Sequence, residues 1–150
     1  MTVRVERGDP RSPGANALLT ASHAYLSELY PPEDNYFLSI DALCTPDIAF
    51  FVAMVDDRMT GCAALKSFDG YGEVKSMYVD PAARGSGTGA ALLAALEAEA
   101  RDQGYPLIRL ETGDTLDAAH RLYARHGFTI CGPFGDYVEG PHSVFMEKRL

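Results

Sequence analysis

Arg84-Gly85-Ser86-Gly87-Thr88-Gly89 places three glycines in five residues, directly before Ala90-Ala91-Leu92-Leu93. A helix beginning here leaves its first N–H groups unpaired and its N-terminal end positive. Glycines let an anion approach those N–H groups closely, and a phosphate or pyrophosphate suits the place. The loop therefore reads as a seat for a phosphorylated cofactor rather than as a plain turn, for which one glycine suffices.

One reading of this seat is a dinucleotide site. Gly85, Gly87 and Ala90 match GxGxx[GA], and Glu111 ends the next strand at the distance of a ribose-binding carboxylate. Three features oppose it. Asp80 to Arg84 separate the preceding strand from the first glycine, a hairpin and some seventy residues come before the motif, and little chain follows Glu111. A Walker A loop is excluded, because no GK[ST] follows the glycines.

The rest of the composition narrows the chemistry. The chain has 150 residues, enough for one domain spanning residues 1–150 with a real core. A formal net charge of −8 argues against nucleic acid as a partner, because phosphate contacts need clustered Lys and Arg. The apolar runs are too short to cross a bilayer and the N-terminus lacks the apolar segment of a signal peptide, so a cytoplasmic protein with no membrane partner is expected. Cys44, Cys62 and Cys131 lack CxxC spacing, and the four histidines lack HxxxH or HExxH, so no metal site is expected.

The elements that position the loop can be read from periodicity. Val3 to Glu6 alternates as a first strand, and Pro13 to Leu29 has helical spacing, ended by Tyr30-Pro31-Pro32. Phe37 to Leu43 is expected to form a second short helix. Ile48 to Val55, Met59 to Leu65 and Gly72 to Val79 read as strands, the first two as a hairpin around Asp56-Asp57. Leu92, Leu93, Leu96 and Ala100 stripe the helix after the glycines, which Gly104 stops. Leu107 to Leu110 is a strand. A helix capped by Asp114 or Thr115 follows and carries Ala119, Leu122, Tyr123 and His126. Phe128 to Cys131 and Ser143 to Glu147 are the last strands. The order implies an α/β chain built on a mixed sheet flanked by helices.

Two separated motifs resemble those of the GCN5-related N-acetyltransferases (the GNAT family). Arg84 to Gly89 matches [QR]xxGx[GA], the coenzyme A pyrophosphate loop of that family. Ala119-His120-Arg121-Leu122-Tyr123-Ala124-Arg125-His126-Gly127-Phe128 is similar to its AxxLYxxxGF segment. The resemblance covers about Ala49 to Leu150. It implies a mostly antiparallel sheet of about seven strands with a V-shaped splay, and about four helices.

The resemblance also implies acetyl-CoA as cosubstrate and acetyl transfer to the primary amine of a small-molecule or amino-acid-like acceptor, in a homodimer. The amides of Met77 and Val79, with Tyr78 between them, would hold the pantetheine arm and thioester. Arg84, Gly85, Ser86, Gly87, Thr88, Gly89 and Ala90 would hold the pyrophosphate. Thr112 stands where many members carry an Asn that touches the pantetheine arm. Tyr123 is implied as the general acid and Glu73 as the base. Period-two spacing puts Glu73 on the face of Met77, toward the acceptor. Tyr30, Glu33, Tyr36, Tyr137 and Glu139 are the residues expected around the acceptor. A protein or peptide acetyltransferase, and an acyl-CoA-binding module without catalysis, remain as alternatives.

Overall fold

A computed structural model describes residues 2–150. Seven strands form one sheet in the order β1-β2-β3-β4-β5-β7-β6. They are β1 (Val3–Arg7), β2 (Ile48–Val55), β3 (Arg58–Phe68), β4 (Tyr71–Val79), β5 (Leu107–Gly113), β6 (Thr129–Cys131) and β7 (Ser143–Arg149). The α-helices among the described residues are α1 (Pro13–Leu29), α2 (Thr88–Asp102) and α3 (Asp117–Arg125).

Two helical expectations change. Phe37 to Leu43 does not form an α-helix; the segment holds only a 3-10 turn at Ala42–Cys44. The stretch is too short to nucleate a helix by itself. The Ser39 hydroxyl accepts the Ala42 N–H at 3.1 Å, which closes a local turn instead. The third helix begins at Asp117 without a side-chain cap. Thr115 is occupied by the Tyr30 phenol and Asp114 by His142, so neither expected cap is free.

Apolar side chains collect on both faces of the sheet. Leu92, Leu93 and Leu96 of α2 and Tyr123 of α3 pack with Ala63, Leu65, Val74, Ile108 and Leu110 on one face. Ala15, Leu18 and Leu19 of α1 pack with Val52, Cys62 and Ala64 on the other. All strand pairs are antiparallel except β4 with β5.

That parallel pair opens the molecule. Its register holds only at Gly72 with Ile108 and Glu73 with Arg109. Beyond those residues the two strands diverge, so the β5-facing edge of β4 has no ladder partner up to Val79. A β-bulge reinforces the divergence. Cys62 pairs Tyr78 and Ala64 pairs Lys75, so Ser76 and Met77 together oppose Ala63. Ser76 carries the local distortion with φ 53°.

The bulge also overturns a simple alternation. Val74 and Met77 lie with the α2–α3 face, whereas Tyr78 joins the α1 face. Glu73 and Met77 therefore do not share a face, because the extra residue between them reverses the side-chain order.

Candidate active site

A cleft of about 790 Å³ runs along this divergence. Its walls come from the first turns of α2, the open edge of β4, the end of β5, the start of α3 and the segment after α1.

The glycine loop forms one end. Gly85 and Gly87 take φ values of 83° and 87°, a region costly for residues with a Cβ. Gly87 caps α2, and the first helical bond runs from Ala91 N–H to Gly87 O at 3.0 Å. The N–H groups of Thr88, Gly89 and Ala90 precede that bond and have no partner within the helix. At Gly89 a Cβ would lie 2.8 Å from Leu122 Cδ2, so glycine lets α2 and α3 approach. The Thr88 hydroxyl turns inward, toward Thr60 at 3.0 Å and Ser86 at 2.8 Å. Thr88 thus offers the loop its backbone, while its side chain anchors α2 to β3. Arg84 is exposed on the cleft and makes no ion pair among the described residues. Asp80 braces the approach by accepting the Ala82 N–H at 3.0 Å and pairing with Arg58 at 3.0 Å.

The open edge of β4 forms the middle. Asp80 N–H bonds Thr60 O on β3 at 2.8 Å. By strand alternation the backbone of Val79 faces away from β3, into the divergence. Met77, Tyr78 and Val79 all line the cleft, as does Thr112 across from them on β5. This donor set fits a diphosphate followed by an amide-bearing chain, which describes coenzyme A.

Tyr123 reaches the cleft from α3 while packed on Phe128, with ring centroids 5.7 Å apart. Its hydroxyl makes no hydrogen bond among the described residues. Burial pushes the phenol pKa up to about 12, and the Glu111 charge adds to the rise.

The carboxylates lie on the α1 side. Glu73 is 2% exposed and outside the cleft lining. Tyr137 donates to its Oε2 at 2.5 Å, and Lys75 Nζ lies 3.3 Å from the same oxygen. Lys75 also donates to Tyr137 Oη at 2.9 Å and Tyr36 O at 3.1 Å. The expectation that Glu73 faces the acceptor alongside Met77 is corrected accordingly; Lys75, which pairs with Glu73, lines the cleft, and Glu73 does not.

Glu111 does line the cleft, accepting from Ser143 Oγ at 2.9 Å. Burial raises its pKa, the Ser143 bond and Lys75 oppose the rise, and Glu73 adds to it. The sequence marks Glu111 only as a ribose-binding carboxylate. Its place in the cleft wall lies on the part of β5 that runs on to Gly113, three residues past the expected end.

Of the residues expected around the acceptor, Tyr30 and Tyr36 line the cleft. Tyr137 lines a smaller neighbouring cavity of about 220 Å³, with Glu73 and Lys75. Glu33 and Glu139 are exposed and line neither. His23, Asp34 and Phe37 line the cleft without having been singled out; the apolar phase of α1 hid His23. No group of three or more His, Cys, Asp or Glu placed to hold a metal occurs among the described residues, and no helix there is long and apolar enough to cross a membrane.

Comparison with known proteins agrees with this geometry. The model of the Acetyltransferase (GNAT) family matches residues 16–128. A protein named IAA acetyltransferase from Azospirillum brasilense is 41% identical over 150 residues, covering 99% of this chain and 98% of its own. A crystal structure from Klebsiella pneumoniae, named as a candidate acyl-CoA N-acyltransferase, is 33% identical and superposes with a TM-score of 0.83, covering 99% of this chain and 98% of that one. A Thermoplasma acidophilum PaiA N-acetyltransferase in complex with coenzyme A, 18% identical, shares the fold over both whole chains with a TM-score of 0.76. The glycine loop before α2, the divergence of β4 from β5 and the phenol on α3 thus stand in a chain that belongs to the GNAT family and is an N-acetyltransferase.

Proposed function

We propose that this protein transfers the acetyl group of acetyl-CoA to the primary amine of a small acceptor, directly, with both substrates bound together. The observation that carries this reading is the cleft itself. It joins a ready-made anion seat at α2 to the open edge of β4 and then to a wall of aromatic and acidic side chains.

Acetyl-CoA supplies an activated thioester carbonyl. The chain's residues do the rest. The N–H groups of Thr88, Gly89 and Ala90, with Gly85, Gly87 and Ser86 shaping the loop and Arg84 adding charge, hold the pyrophosphate. The Val79 and Met77 amides pair with the pantetheine arm and donate to the carbonyl oxygen as it gains negative charge. Tyr78 fixes the bulge by packing toward α1, and Thr112 contacts the arm from β5.

The attacking amine must lose a proton. We assign its removal to Glu111, which lines the cleft and whose raised pKa makes it a stronger base than an ordinary carboxylate. Glu73, first expected in that role, holds Lys75 and Tyr137 in place. The sulfur leaves with the electron pair of the broken C–S bond. Tyr123 stabilises it by hydrogen bonding, since a phenol near 12 gives up its proton reluctantly.

Thermal unfolding with acetyl-CoA, desulfo-CoA and NAD tests the cofactor, and thiol release across an amine panel tests transfer. The expected result is stabilisation by both CoA species and amine-dependent release. Stabilisation by NAD alone would refute the reading.

A further inference from the structure

Three observations describe the acceptor end of the cleft. The first is an aromatic wall. Tyr25, Tyr30, Tyr36 and Phe37 line it, and His23 stacks on Phe37 with centroids 4.2 Å apart and planes 14° apart. Flat apolar walls favour a flat apolar ligand body.

The second concerns charge. A Lys ammonium has three hydrogens to donate. Lys75, the lysine lining the cleft, makes three hydrogen bonds, to Tyr36 O, Glu73 Oε2 and Tyr137 Oη. It has no free hydrogen for a ligand carboxylate. The other cations lining the cleft are Arg84 in the glycine loop, Arg125 in the last turn of α3 and, when protonated, His23. Asp34 and Glu111 also line the cleft. The acceptor end attracts an ammonium and repels a carboxylate.

The third is a pair of unsatisfied polar atoms. His23 Nε2 and Ser76 Oγ are buried without a hydrogen-bond partner. Both residues line the cleft, from α1 and from the β4 bulge. Such atoms are rare, and each calls for a partner. Burial holds the His23 pKa down, so its ring is neutral at pH 7 and can accept or donate.

We propose that the acceptor is an arylalkylamine with a ring hydroxyl and no carboxylate, its ring against the Tyr36–Phe37 wall and its hydroxyl paired with His23 or Ser76. The proposal rests on the transfer reading above. It narrows the acceptor from amines in general, amino acids included, to phenolic amines.

The test compares tyramine, phenethylamine, tyrosine and putrescine as acceptors, with acetylated product measured by mass and acetyl-CoA binding by thermal shift. A site that pairs a substrate hydroxyl discriminates against the analogue lacking it. The expected kcat/KM for tyramine is at least tenfold above that for tyrosine and putrescine, and about tenfold above that for phenethylamine. His23→Leu should bring the tyramine-to-phenethylamine ratio of kcat/KM down from about tenfold toward about one, whatever it does to both rates. Equal or better use of tyrosine, putrescine or phenethylamine overturns the proposal and leaves the transfer reading intact. A tyramine advantage that survives in both His23→Leu and Ser76→Ala also overturns it. Failure of acetyl-CoA to raise the unfolding temperature, with no acceptor acetylated, is failure of the transfer reading itself. Binding of acetyl-CoA with none of the four acetylated overturns the present proposal.

Discussion

Replacing Tyr123 by Phe separates two roles that a phenol can play beside a departing thiolate. In one it hands over its proton; in the other it only donates a hydrogen bond. The phenol pKa stands near 12, raised first by burial and then by Glu111. A thiol sits near about 8.5, so full transfer is uphill by roughly 3.5 units, or about 5 kcal/mol. A hydrogen bond to a charged group is worth about 1.5–3 kcal/mol, which is roughly 10- to 100-fold in rate.

The expected result for Tyr123→Phe is therefore a fall in kcat of about 10- to 100-fold, with the acetyl-CoA KM within about twofold. Stability should barely move, because the hydroxyl has no protein partner and the ring contact with Phe128 survives. An unfolding temperature within about 2 °C of the wild type is expected. The assay is initial-rate thiol release at saturating acetyl-CoA and amine, from pH 6 to about 10, beside thermal unfolding. Unchanged kcat would remove the phenol from the mechanism. A fall of about 10⁴-fold would show that proton transfer from the phenol matters more than this reasoning allows.

Other predictions concern the loop and the carboxylates. Gly87→Ala forces a Cβ residue to φ 87°, at about 1–2 kcal/mol, and should raise the acetyl-CoA KM while lowering the unfolding temperature by a few degrees; an unchanged KM counts against the anion seat. Glu111 has its folded pKa raised, so its contribution to stability is present below the ordinary carboxylate range and is lost as pH rises through the folded value. Glu111→Gln should then be at least as stable as the wild type at pH 8, and its kcat/KM should lose the acidic limb; a persisting limb reassigns the base. Glu73→Gln should leave that limb in place and lower activity mainly by loosening Lys75, and transfer of the limb to this variant would restore Glu73 as the base. Lys75→Met leaves the Glu73 carboxylate buried with Tyr137 as its remaining partner, which costs about 3–5 kcal/mol. Chemical denaturation should show that loss, smaller in the double variant with Glu73→Gln.

What the sequence determined by itself was local. Backbone φ values near +85° at Gly85 and Gly87 and an apolar stripe on the following helix depend on neighbours in the chain, so the glycine turn and α2 were legible as text. The place of Tyr123 on the third helix was legible too, through the segment that ends at Gly127-Phe128. The tertiary structure decided everything that depends on which strands meet. The β4 bulge forms against Ala63 of β3, and it turned Glu73 away from the face of Met77. The closing of Lys75 and Tyr137 over Glu73 brings together residues more than sixty positions apart. The same pairing of β5 with β7 carried Glu111 to Ser143 and into the cleft. Side-chain period reports the face of an isolated strand, whereas a single inserted residue in a paired one reverses it, and only the partner strand says where that residue falls.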